Sequence, residues 1–209
     1  MDIIRATRVF LVLGGLLAAS PAGAHVPYLE KRDFSEQRPF WVQPPVEKSI
    51  AVYSWFHSAN DLDVFAFEVD EPVRVYAQAL VPVCNGYEEL RPWFALVGPG
   101  LPRPVAPVPF TLMPGYGAIV VENVPPGQAR ETFYEPFGGK SYFDGPALEL
   151  EVATPGTWYL YFWAPGRATG DYVAVIGDQE IWGLAEIFRA LVVTPLIRQD
   201  RELHRACLP

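Results

Sequence analysis

The chain has 209 residues, with 24 acidic against 16 basic side chains, 22 prolines, 17 glycines, two cysteines and three histidines. Half of it is apolar and 19 % is charged, enough apolar material for one compact core, which excludes intrinsic disorder. Abundant proline and 14 % aromatic residues favour short strands and stiff turns over long helices, while the formal charge of −8 excludes a nucleic-acid partner and a polybasic membrane anchor.

In chain order, residues 1–24 read as a signal peptide. Arg5 and Arg8 form a positive n-region, Val9 to Ala19 is uncharged, and Ala22-Gly23-Ala24 is an A-x-A cleavage signal. The alternative, a retained anchor, needs roughly 20 apolar residues, and this run stops at Ser20-Pro21. Cleavage would leave a periplasmic or secreted chain beginning at His25, one unit more negative than the precursor. An N-terminal arm, 25–48, follows. Cys84 and Cys207, the only cysteines, would then meet an oxidising compartment, where a disulfide between them is expected; two unpaired thiols are the alternative.

Nine strand-like runs occupy 49–178: Ser49 to Phe56, Val64 to Val69, Val73 to Val81, Trp93 to Val97, Tyr116 to Val121, Glu131 to Tyr134, Ala147 to Val152, Thr157 to Trp163 and Asp171 to Ile176. Their short spacing predicts an all-β, antiparallel, jelly-roll-like β-sandwich. Period two in the second run puts Phe65, Phe67 and Val69 on one side and Val64, Ala66 and Glu68 on the other. Eight prolines between Pro99 and Pro126 predict a stiff excursion outside the central ladder. The tail, 179–209, begins with a helix: Leu184, Ala185, Phe188, Leu191 and Val192 recur at helical spacing until Pro195, where the helix is expected to stop. Trp182, Ile187 and Val193 lie off that stripe, and this extra surface is expected to dock on the sandwich; a dimer interface and shallow membrane contact are the alternatives. Glu186, Arg189 and Pro195 exclude a spanning helix.

The runs Asp61-Leu62-Asp63-Val64-Phe65-Ala66-Phe67-Glu68-Val69, Gly156-Thr157-Trp158-Tyr159-Leu160-Tyr161-Phe162 and Gly170-Asp171-Tyr172-Val173-Ala174-Val175-Ile176-Gly177 resemble the D-x-D-x-aromatic strand and closing hairpin of bacterial pre-peptidase C-terminal domains. The resemblance spans at most residues 49–178. It implies a jelly-roll-like sandwich with an accessory or binding role, and no catalytic residues.

The residues themselves carry no H-E-x-x-H, no G-x-S-x-G and no phosphate-cradling glycine loop. His204 stands three residues before Cys207, but in a polar tail without an oxyanion hole. Glu88-Glu89 reads as a turn surface, and Glu149 with Glu151 as the solvated face of a strand. An N-terminal His25 could chelate copper through its amine and ring, with His57 or His204 as the second imidazole, an arrangement similar to the histidine brace of copper-binding sandwiches. The alternative places His25 in a loose arm and His57 in a capped loop. Asn60, Asp61 and Asp63 could hold Ca²⁺ or simply form a turn. Tyr134, Phe137, Tyr142 and Phe143 could stack on sugar rings, form a protein-binding lip, or fold inward as a small core. The expectation is therefore an exported non-enzymatic binding or accessory module, with a protein or carbohydrate ligand possible, no cofactor and no transmembrane segment after signal cleavage; the alternative is a periplasmic copper protein built on His25, His57 and His204.

Overall fold

The computed structural model describes residues 25–166 and 168–204. The signal segment and Cys207, and with them the cleavage and disulfide expectations, lie outside the described residues. Twelve strands and one helix are formed among those residues: β1 (Val26–Leu29), β2 (Phe40–Trp41), β3 (Ile50–Phe56), β4 (Asp63–Val69), β5 (Val73–Pro82), β6 (Trp93–Pro99), β7 (Tyr116–Val121), β8 (Thr132–Glu135), β9 (Lys140–Phe143), β10 (Ala147–Val152), β11 (Gly156–Trp163), β12 (Gly170–Ile176) and α1 (Leu184–Arg198). One sheet runs β1-β3-β12-β5-β9-β8, with β10 also paired to β5; the other runs β2-β4-β11-β6-β7. Most pairings are antiparallel, but β1 joins β3 and β2 joins β4 in parallel. The segment 25–48, expected as a separate arm, thus supplies an edge strand to each sheet.

Period two sorts the strands onto a shared core. Val52, Phe56, Val75, Ala77, Tyr172 and Ala174 of the first sheet join Phe65, Phe67, Phe94, Leu96, Trp158, Leu160 and Phe162 of the second in one buried cluster. Phe56 stacks on Tyr172 at 4.2 Å between centroids, and Phe162 meets Tyr172 across the sheets at 5.7 Å. Such ring pairs add about 0.5–1.5 kcal/mol beyond their area burial. The outer faces are covered too. The proline-rich excursion lays Phe110 on Tyr161 at 4.2 Å, sealing Val64, Ala95, Val97 and Trp163. Tyr142 packs with Ala51, Leu80, Val173 and Val175 on the other side. Strands buried on both faces lose their polar alternation, which is why β12 is buried throughout. Glu149 and Glu151 do face solvent.

The helix differs from expectation at its end. It does not stop at Pro195 but continues to Arg198. Proline removes only the hydrogen bond to the Leu191 carbonyl, on the exposed side, while buried Ile197 and an Arg198 Nε bond to the Phe137 carbonyl, 2.9 Å, hold the last turn. Of the off-stripe residues expected to dock, Trp182 and Val193 do turn to the sandwich while Ile187 stays half exposed, and the regular apolar stripe points away. The inward stripe is Trp182, Glu186, Ala190, Val193 and Ile197, and Leu184, Phe188, Leu191 and Val192 remain 66–77 % exposed. No helix among the described residues is long and apolar enough to cross a membrane.

Candidate functional site

Two places on the molecule carry more chemistry than packing requires. The first is the end of the sandwich where β1 runs out beside β3. Continuing the parallel ladder, the Glu30 amide donates to the Tyr53 carbonyl at 2.8 Å, and the Trp55 amide donates to Glu30 Oε2 at 2.8 Å. Glu30 is thereby fixed beside His57, whose Nε2 lies 3.7 Å from Glu30 Oε1. Asp33 follows in the same segment, which the Val64 amide ties to β4 through the Phe34 carbonyl, 2.8 Å. On the β3–β4 turn, Asp61 accepts the His57 amide and, at 3.0 Å, the Leu62 amide. That makes the turn former expected for this loop. Asp63, fully buried at the head of β4, accepts the Tyr172 hydroxyl at 2.6 Å.

Donor atoms of Glu30, Asp33 and His57 lie within 4.8 Å of one another, as do those of Asp33, Asp61 and Asp63. Glu30 Oε1, Asp33 Oδ1 and Asp63 Oδ1 are buried with no hydrogen-bond partner. Among the described residues no lysine or arginine pairs with any of the four acids. Burial pushes the Glu30 carboxyl up to about 7; the Trp55 amide opposes this, and the Asp33 and Asp61 charges add to it. Burial and then the Glu30 charge hold Asp63 well above the carboxylate range. Four acids with one facing imidazole form a strongly cation-seeking pocket.

His204 reaches this end from the tail. Its ring centroid lies 6.2 Å from that of His57 and 4.9 Å from that of Trp55. Its amide and its Nδ1 both meet Asp171 Oδ1 at 3.0 Å. Asp171 in turn accepts the Tyr87 hydroxyl at 2.5 Å. The structure thus brings His57 and His204 together but not His25. The register Val26↔Ile50 sets His25 level with Ser49, whose hydroxyl it meets. That is the opposite end of β3 from His57, roughly 25 Å away at ~3.3 Å per residue. The brace expected from His25 with either other histidine is not formed. Glu30, Asp33 and Asp171 escaped sequence reasoning, since only strand pairing between distant segments places them here.

The second place is α1. Its three charged side chains turn back to the body: Glu186 pairs with Lys48 at 2.8 Å, the Arg189 guanidinium sits 4.1 Å over the Tyr28 ring, and Arg198 caps the Phe137 carbonyl. What faces outward is apolar. Grooves flank this ridge on both sides: one of about 540 Å³, lined by Tyr28, Phe40, Trp41 and Val192 together with the cations Lys31, Arg32, Arg38 and Arg189, and one of about 480 Å³, lined by Phe137, Trp182, Ile187 and Leu191. In the aromatic loop, Tyr142 is buried, Arg130 covers Phe143 at 4.0 Å, and Tyr134 stays exposed. The sequence matches no known protein-family model and no curated protein.

Proposed function

We propose that this protein is an exported, non-enzymatic binding or accessory module of the periplasm or extracellular space, jelly-roll-like in the manner of the pre-peptidase C-terminal domains, that works as a pair of copies docked through α1. The observation that carries the pairing is the outward face of the helix: its charges are spent on the protein's own surface while Leu184, Phe188, Leu191 and Val192 stand exposed. A contiguous apolar face of this size marks an interaction site. An apolar ridge beside the groove of Phe137, Trp182, Ile187 and Leu191 can seat the ridge of a rotated copy, the requirement of a two-fold interface. Covering the five exposed apolar side chains, Ile187 included, removes on the order of 600 Å² per copy. The groove walls bring this near the ~800 Å² per partner of a standard interface.

Sedimentation of the purified chain over a roughly hundredfold concentration range should show a dimer. Phe188→Glu and Leu191→Glu, at exposed positions, should give monomers with unchanged circular dichroism. A wild-type monomer throughout that range overturns the pairing, and its co-sedimentation with phosphatidylcholine vesicles would assign the face to a membrane instead.

A further inference from the structure

The pocket between the arm, the end of β3 and the tail goes beyond that function. We propose that Glu30, Asp33, His57 and His204 hold a divalent transition-metal ion of the Zn²⁺ type. Zinc bound at about 2.0–2.1 Å by tetrahedrally disposed nitrogen and oxygen donors sets neighbouring donors about 3.4 Å apart. His57 Nε2 and Glu30 Oε1 stand 3.7 Å apart, beyond hydrogen-bond range yet close to that spacing. Glu30 Oε1 is the sharper sign. Its side chain is 2 % exposed, its other oxygen is held by the Trp55 amide, and this oxygen has no hydrogen-bond partner. Asp33 belongs to the same 4.8 Å group, and its Oδ1 is likewise buried and without a partner. Buried carboxyl oxygens this close together without a donor are expensive to ionise, and a cation answers both.

His204 stands beside this trio, outside the 4.8 Å group, and would close on the ion as the fourth ligand. Two imidazoles on a tetrahedral zinc have centroids about 5 Å apart; those of His57 and His204 are 6.2 Å apart, so binding would draw them together by about 1 Å. The Asp171 carboxylate on His204 Nδ1 leaves Nε2 as the metal-facing nitrogen, the carboxylate–histidine–metal arrangement that fixes ring orientation at such sites. Two imidazoles and two carboxylates suit a borderline ion rather than Ca²⁺. The all-oxygen group of Asp33, Asp61 and Asp63 is less available: both Asp61 oxygens accept backbone amides and Asp63 Oδ2 accepts the Tyr172 hydroxyl.

The test is titration of chelator-treated full chain with Zn²⁺ by calorimetry, with the Co²⁺ visible spectrum as a second readout. One equivalent should bind, and Co²⁺ should show the intense bands of a tetrahedral site. His57→Ala and His204→Ala, both at solvent-accessible rings, should each weaken Zn²⁺ at least roughly tenfold, and Asp171→Asn about tenfold through His204. His25→Ala should leave affinity unchanged. Absence of Zn²⁺ binding, affinity indifferent to both histidines, or a site that takes Ca²⁺ and depends only on Asp61 and Asp63 would each overturn the assignment.

Discussion

His25 opens β1 with its ring against the Ser49 hydroxyl and lines a small cavity with Tyr53, Glu135 and Tyr142. Burial holds its pKa below the usual histidine range, and the Glu180 charge only partly opposes this. A histidine that is harder to protonate folded than unfolded makes the unfolded chain bind more protons. Stability is therefore fully present above pH ~6.5 and falls as pH drops below it toward the folded pKa, by at most about 1.4 kcal/mol per pH unit. Urea unfolding at a series of pH values should show a shallower acid slope for His25→Gln than for wild type, and equal slopes would contradict the burial assigned here. Sequence alone raised His25 as a copper ligand because an N-terminal histidine has a chelating geometry of its own. It could not show that parallel pairing with β3 carries that ring to the far end of the strand from His57. Asp61 and Asp63 were legible as a local pair; Glu30 and Asp33, about thirty residues earlier, join them only through tertiary structure.

The elements show the same division between local and distant causes. All nine strand-like runs became strands because their apolar alternation and turn residues are local properties. The strands β1, β2 and β9 are short, two to four residues, and form only by borrowing a neighbour's edge. For α1, periodicity correctly located a helix, yet which stripe turns inward depends on the Lys48 and Tyr28 partners that draw Glu186 and Arg189 to the body. Glycine in β6 has a comparable hidden partner. Gly98 lies beside β11 where the Trp158 ring crosses, and a Cβ there would fall 2.1 Å from Trp158 Cε3. That ring is 2 % exposed and hydrogen-bonded through Nε1 to the Thr154 carbonyl at 3.0 Å, so it cannot step aside. Gly98→Ala should destabilise by about 1–3 kcal/mol, read as a lower urea midpoint at unchanged slope. A midpoint equal to wild type would mean that β6 and β11 part readily.

Across the whole molecule, a chain of hydrogen bonds leads from the tail to Cys84. The His204 amide donates to Asp171, Asp171 accepts the Tyr87 hydroxyl, and the Tyr87 amide donates to the Cys84 carbonyl at 3.1 Å. Cys84 itself is buried in the main core. A Cys84–Cys207 bridge would close a loop of about 120 residues and limit the unfolded chain by up to about 4–5 kcal/mol. It would also clamp His204 beside His57 and pull the end of α1 onto the β8–β9 hairpin, where Lys140 pairs with Glu202 at 3.3 Å. Labelling of the denatured, unreduced chain should find no reactive thiol. Cys84→Ser should lower the melting temperature and speed amide exchange in residues 197–204 more than in β12, because only the tail loses a covalent tether. Two reactive thiols per chain, or a loss of protection spread evenly over both sheets, would show that noncovalent contacts alone hold this corner together.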